Sequence, residues 1–193
     1  MIKRNSALNG LVALLLLFAA VLACSTGNET EKANKLVNEG NAAVQEAKQH
    51  LIEAEQLKKK MLEVFSRAAH DRGEDSHLDD ARGFAKQAIA AYESAEAKCK
   101  EAASKYDEAG RLKLNDKFKE YLVLKVKEYN KRAELVQTAK GVPQALIDSE
   151  SRQGWINKAN SVNAKVDQLS KEADDIASQA DKIQKDNPDI FKS

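Results

Sequence analysis

From Ala33 onward the apolar residues of this chain advance by threes and fours. The set Ala33, Leu36, Val37, Gly40, Ala43, Val44, Ala47, Leu51, Ala54, Leu57, Met61, Val64, Phe65 and Ala68 falls on one face of a helix. Within it, Ala33, Gly40, Ala47, Ala54, Met61 and Ala68 recur every seven residues. Sustained heptads predict a left-handed supercoil against a second helix, and small residues at one heptad position let the two axes come close. The pattern predicts a first helix over residues 30–72, closed by Gly73 as its C-terminal cap.

A second stripe starts beyond Ser76, a candidate N-cap with Asp79 and Asp80 near the positive end of the helix. It runs through Ala85, Ala88, Tyr92, Ala95, Cys99, Ala102, Tyr106 and Ala109. The spacing then drifts to fours through Gly110, Leu114, Phe118 and Leu122, and resumes through Val126, Tyr129, Ala133 and Val136. Read as a stutter, this is one helix over 77–140. Read as a break at 110–116, with Asn115 or Asp116 as a new cap, it is two. The stripe never loses its face and no proline intervenes, which favours continuity. Gly141-Val142-Pro143 then ends the helix, proline suiting the first turn of the next. The final stripe, Trp155, Ala159, Val162, Val166, Leu169, Ala173, Ile176, Ala180 and Ile183, predicts a helix over 143–186. Residues 187–193 read as a frayed tail. The expected fold is all-α: an elongated antiparallel bundle, a coiled coil of three long helices, or four with the break near 110–116. The first part of the middle helix should pair with the first helix and its last part with the final one.

Composition agrees with long helices. Charged residues make up 32% of the chain and aromatic ones 5%, and there are only two prolines.

The N-terminus follows a different pattern. Lys3 and Arg4 precede an uninterrupted run of thirteen apolar residues, Leu11 to Ala23, and Ser25-Thr26-Gly27-Asn28 is polar. A membrane-spanning helix needs ~20 apolar residues, so this run is short for one. Basic start, apolar core and small residue at the junction are the parts of a secretory signal peptide. The junction Val21-Leu22-Ala23-Cys24 resembles the lipobox of bacterial lipoproteins. The resemblance implies cleavage before Cys24 and a lipid (palmitate among the acyl groups) on its thiol. It implies an extracytoplasmic protein anchored to the cell membrane, on the outer membrane facing the periplasm if the organism is Gram-negative. One acyl chain anchors only marginally, and the several chains of that family anchor stably. The domain plan is then a signal peptide over 1–23, a flexible tether over 24–29, one helical domain over 30–186 and the tail. Removing 1–23 leaves 29 basic and 30 acidic residues, which gives no electrostatic reason to expect nucleic acid or an anionic membrane surface as partner.

Candidate chemistry is sparse. His70, Asp71, Glu74, Asp75, His77, Asp79 and Asp80 surround the first helix turn and could attract a divalent metal, but they lack any defined ligand spacing. A solvated turn with capping acids accounts for all of them. Cys99, the one thiol left once Cys24 is acylated, lies on the buried stripe between Tyr92 and Tyr106 and reads as core. His50 at the seam edge reads as structural. Trp155 fits the last seam one heptad before Val162, and so reads as core rather than as an exposed anchor. Lys58-Lys59-Lys60 reads as a solvated face. Lys192 invites comparison with the small murein-linked lipoprotein, but there the linking lysine is terminal and here Ser193 follows. No catalytic Ser/His/Asp set, phosphate loop or nucleophile elbow appears. The reading is a non-enzymatic envelope lipoprotein without cofactor or metal. It would act as a structural or interaction element whose partners are the membrane, through Cys24, and another envelope protein or a second copy. The competing reading is a periplasmic binding module, holdase-like or metal-binding.

Overall fold

The computed structural model describes residues 27–67, 74–149 and 151–191. Helix α1 spans Gly27–Arg67, α2 Glu74–Gly110, α3 Asp116–Ala139, α4 Gly141–Ile147 and α5 Arg152–Asp186. No strand occurs among the described residues. Helix α1 packs along α2, α2 along α3, and α3 along α5, each antiparallel to the one before. The order is up-down-up-down. Alpha-helical rise gives α1 a length of ~60 Å.

The alanine-rich heptads are buried as their spacing predicts. Ala33, Ala54 and Met61 lose all contact with solvent, and Val37, Ala47 and Leu51 nearly all. Gly40 is required by a close approach. A Cβ there would sit 3.0 Å from Cε1 of Tyr106. That ring cannot swing aside, because its hydroxyl donates to Oδ1 of Asn41 at 2.7 Å and its other face meets Tyr129, with centroids 5.5 Å apart. Gly40→Ala should therefore destabilise the bundle. Overpacking costs ~1–3 kcal/mol and the helix propensity of alanine returns ~1 kcal/mol. A thermal melt should show the midpoint a few degrees lower, and an unchanged or higher midpoint would mean that the α1–α2 seam can open to accommodate the methyl.

The break at 110–116 is real, and the continuous middle helix is corrected to two. Two short-range backbone bonds, Leu112 N–H to Ala109 carbonyl at 3.1 Å and Arg111 N–H to Glu108 carbonyl at 3.4 Å, close α2. Asn115 caps α3, its Oδ1 accepting from Lys117 N–H at 2.8 Å. Leu112 and Leu114 turn in to pack on the core between them. Folding back is favourable because α3 then buries its stripe against α2 and α5 at once. A straight helix would have left half its length with one neighbour. The expected pairing survives the break: α2 runs with α1, and α3 with α5.

The second boundary also moves. Gly141-Val142-Pro143 does not end a helix but bends one. Lys140 keeps right-handed helical angles, and the chain runs on to Ile147. Pro143 has no N–H for the Ala139 carbonyl, and this missing bond is the cause of the bend. Gly141 permits a close approach of α5: a Cβ would lie 3.0 Å from Val162. The last helix starts at Arg152 rather than at 143, with Ser151 Oγ accepting from Gly154 N–H at 3.1 Å. At the other end, α1 begins at Gly27, three residues into the expected tether. The tail expected to fray is docked as far as Phe191. Pro188–Ile190 form one 3₁₀ turn, and Phe191 is buried edge-on against Phe118 and Tyr121, 5.6 and 5.0 Å between centroids.

Three layers of core follow one another along the axis. The proximal layer, at the end where α1 begins, joins Ala33, Val37, Tyr106, Leu122, Tyr129 and Ala180. The middle layer joins Leu51, Tyr92, Leu135, Val136 and Leu169. The distal layer joins Met61, Phe65, Ala85, Leu146 and Trp155.

Candidate functional site

The densest chemistry in the bundle lies between the proximal and middle layers, on α3. Glu128 and Arg132 are one helical turn apart, and both are buried. Arg132 Nε donates to Glu128 Oε1 at 2.8 Å. Lys125 Nζ donates to Glu128 Oε2 at 2.6 Å and also lies 4.9 Å above the ring of Tyr129. From α5, Asp174 brings Oδ1 to 3.5 Å from Arg132 Nη2. The remaining terminal nitrogen, Nη1, has no hydrogen-bond partner among the described residues. Burial disfavours the guanidinium charge, but the Glu128 carboxylate more than offsets this, so the pKa of Arg132 is raised and the group stays cationic.

Cys99 lies beside this network, packed with Ala47 and Ala133. Burial pushes its thiol up to about 12, against the opposing pull of the Arg132 charge. At neutral pH it is a thiol and not a thiolate, hence a poor nucleophile. Its position matches the core reading. Two further polar anchors tie α2 to α1. The Tyr92 hydroxyl donates to Glu55, and Tyr106 donates to Asn41. Ion pairs Lys98–Glu46 at 2.7 Å and Lys105–Glu39 at 2.8 Å flank them. Lys131–Glu172 at 3.1 Å plays the same part between α3 and α5.

The other described residues singled out in the sequence do not converge. Cys24, His70 and Asp71 lie outside the described residues. The side chains of Glu74, Asp75 and His77, like Lys192, lie outside what the structure describes. Asp79 and Asp80 are exposed on the first turns of α2, and Asp79 faces Arg82 at 3.5 Å. Among the described residues no group of three or more His, Cys, Asp or Glu side chains comes together as a metal set. His50 is half-buried, 3.8 Å from Glu53. Of the three consecutive lysines, Lys58 bonds Glu55 at 2.8 Å, Lys59 faces Glu63 at 3.9 Å, and Lys60 sits 5.9 Å over the ring of Phe84. Trp155 is core, its indole N–H donating to the Val142 carbonyl at 3.3 Å.

The Glu128–Arg132 pair escaped the sequence reading. A charged residue next to a stripe is ordinarily assigned to the solvated face. The available signal was the four-residue spacing of the pair, each member immediately adjoining a seam residue, Tyr129 or Ala133. What the network can do is hold position: Arg132 on α3 reaches Asp174 on α5 at 3.5 Å, which links the two helices through a buried cation.

No protein-family model matches this chain, and neither does any curated protein or solved structure compared with it.

Among the described residues no helix is long and apolar enough to cross a membrane.

Proposed function

We propose that this protein is a non-enzymatic, lipid-anchored protein of the bacterial cell envelope. It would be held to the membrane through Cys24 and act as a stiff structural or interaction element. The observation that carries the reading is the junction Val21-Leu22-Ala23-Cys24 after a basic start and a short apolar run, placed three residues ahead of the first helix. The bundle fits that role. Its helices are long, its seams are tied by interhelical ion pairs, and Cys99 and Trp155, two of the residues singled out in the sequence, fill its core. Its partners would be the membrane and a second envelope protein or another copy of the chain.

The test is the mature N-terminus. Mass spectrometry of protein from the native membrane should find an acylated, thioether-modified Cys24 as the first residue. Cys24→Ser should abolish the modification and release the protein from the membrane fraction or leave it uncleaved. An unmodified N-terminus at another position would sink the proposal. Crosslinking in intact cells then separates roles: one captured envelope protein supports the interaction element, and a broad set of unfolded clients supports a holdase instead.

A further inference from the structure

Three separate pieces of chain converge at the proximal end of the bundle. Helix α1 begins there, the turn between α2 and α3 folds across it, and the segment after α5 closes it. The turn is pinned to the start of α1, since Lys113 N–H donates to Glu29 Oε2 at 2.7 Å. The closing segment is pinned by Phe191 on Phe118 and Tyr121. Leu112, Leu114 and Ile190 pack on the proximal core and keep part of their surface in solvent. Around them stand the exposed Arg111, Lys113 and Lys117. Arg111 and Lys117 are balanced by Asp107 and Glu120, whereas the ammonium of Lys113 has no acid partner among the described residues.

We propose that this end of the bundle rests on the lipid headgroup surface, with Leu112, Leu114 and Ile190 facing the bilayer and Lys113 reaching phosphate. The bundle then stands on end. The inference rests on the lipid-anchor reading of Cys24. Only three residue steps separate Cys24 from Gly27, so the start of α1 is within ~10 Å of the acylated residue. Asp116, Asp186 and Asp189 belong to the same end, so net charge does not drive the contact. The short tether does. It holds the apolar cap at an effective concentration in the millimolar range, where even a weak interfacial affinity is satisfied. The Trp155 layer would then stand most of the ~60 Å length of α1 away from the surface.

The experiment uses the full lipidated chain, with Cys99→Ala, in phosphatidylethanolamine vesicles containing a minor share of phosphatidylglycerol. A fluorophore is placed at Arg111→Cys, which leaves Lys113 in place, or, on the exposed distal part of α5, at Lys158→Cys, and the vesicles carry a headgroup-attached spin quencher. Mass spectrometry of the same sample reads the lipid on Cys24. The expected result is loss of most emission from the 111 label and retention of the 158 emission. Equal quenching of both labels would show a bundle lying flat. No quenching at either, with lipid attached, would show one swinging free on its tether. Either outcome overturns the standing orientation and leaves the anchor reading intact. Absence of the lipid overturns both.

Discussion

Replacing Trp155 with alanine should remove a large share of the stability of the bundle. Trp155 is the largest fully buried side chain and the only tryptophan. It packs on Phe65, with ring centroids 4.5 Å apart, and its layer draws on α1, α2, α4 and α5 at once. Large aromatic-to-alanine changes in a core cost ~3–5 kcal/mol, and domains of this size have ~5–15 kcal/mol in total. Ala81, Ala85, Ala145 and Ala159 of the same layer carry only methyl groups and cannot extend into the space, which leaves Met61, Phe65 and Leu146 to fill part of it. The indole N–H bond to Val142 is lost as well, which leaves that carbonyl without this donor beside the bend at Pro143. Trp155→Phe keeps an aromatic ring but not the bond, and should lose roughly 1–2 kcal/mol. Circular dichroism melts of both variants check this. A melting point of Trp155→Ala within a degree or two of the parent would mean that the distal layer contributes little and that stability resides in the other two layers.

The reason Trp155 could be placed from the sequence, and Glu128 could not, is the same reason the middle helix was misjudged. Hydrophobic period reports which face is buried, and it reports this well where one side chain type dominates. The alanine heptad of α1 and the stripe of α5 landed on the core as read. Period does not report direction. A stripe spaced in fours across Gly110 looks alike whether the helix runs on or folds back, because α3 buries the same kind of residue in either case. The deciding features were local: the capping amide of Asn115, and two leucines at alternate positions, 112 and 114, where a helix would have carried them to different faces. Pro143 shows the converse error. Proline suits a first turn, but here a bent helix runs through it, since packing of Val142, Ala145 and Leu146 into the distal layer compensates for the missing bond. The proposed anchor belongs to another category: a lipobox would be read by processing enzymes as linear sequence, so a folded bundle need not carry an imprint of it.

Arg132→Met alone should cost ~3–5 kcal/mol, while Arg132→Met combined with Glu128→Leu should restore the parent stability or exceed it. Removing Arg132 takes away the 2.8 Å partner of a carboxylate that is almost wholly out of water, and leaves Glu128 with Lys125 alone. The penalty is the desolvation of an acid that has lost one of its two cationic partners and keeps only Lys125, so it is larger than the net worth of the pair. Glu128→Leu alone leaves Arg132 with only the 3.5 Å contact to Asp174, a weak bond by length, and with Nη1 already unpartnered. That variant too should fall well below the parent. Replacing both members removes both desolvation costs and adds apolar volume beside Cys99 and Ala133, while Lys125 loses its acid but keeps the Tyr129 ring and part of its surface in water. Denaturant melts of the four proteins form a double-mutant cycle, and the coupling should be strongly non-additive. Additive, mild losses would show that the pair is hydrated and inconsequential. If the double variant is stable but α5 loses its alignment on α3, seen as altered crosslinking between cysteines placed at Lys131 and Glu172, the role of the pair is register. The buried cation then sacrifices some stability to fix which of several alanine-lined settings α5 adopts, since Ala173, Ala177 and Ala180 offer little of their own to distinguish one setting from the next.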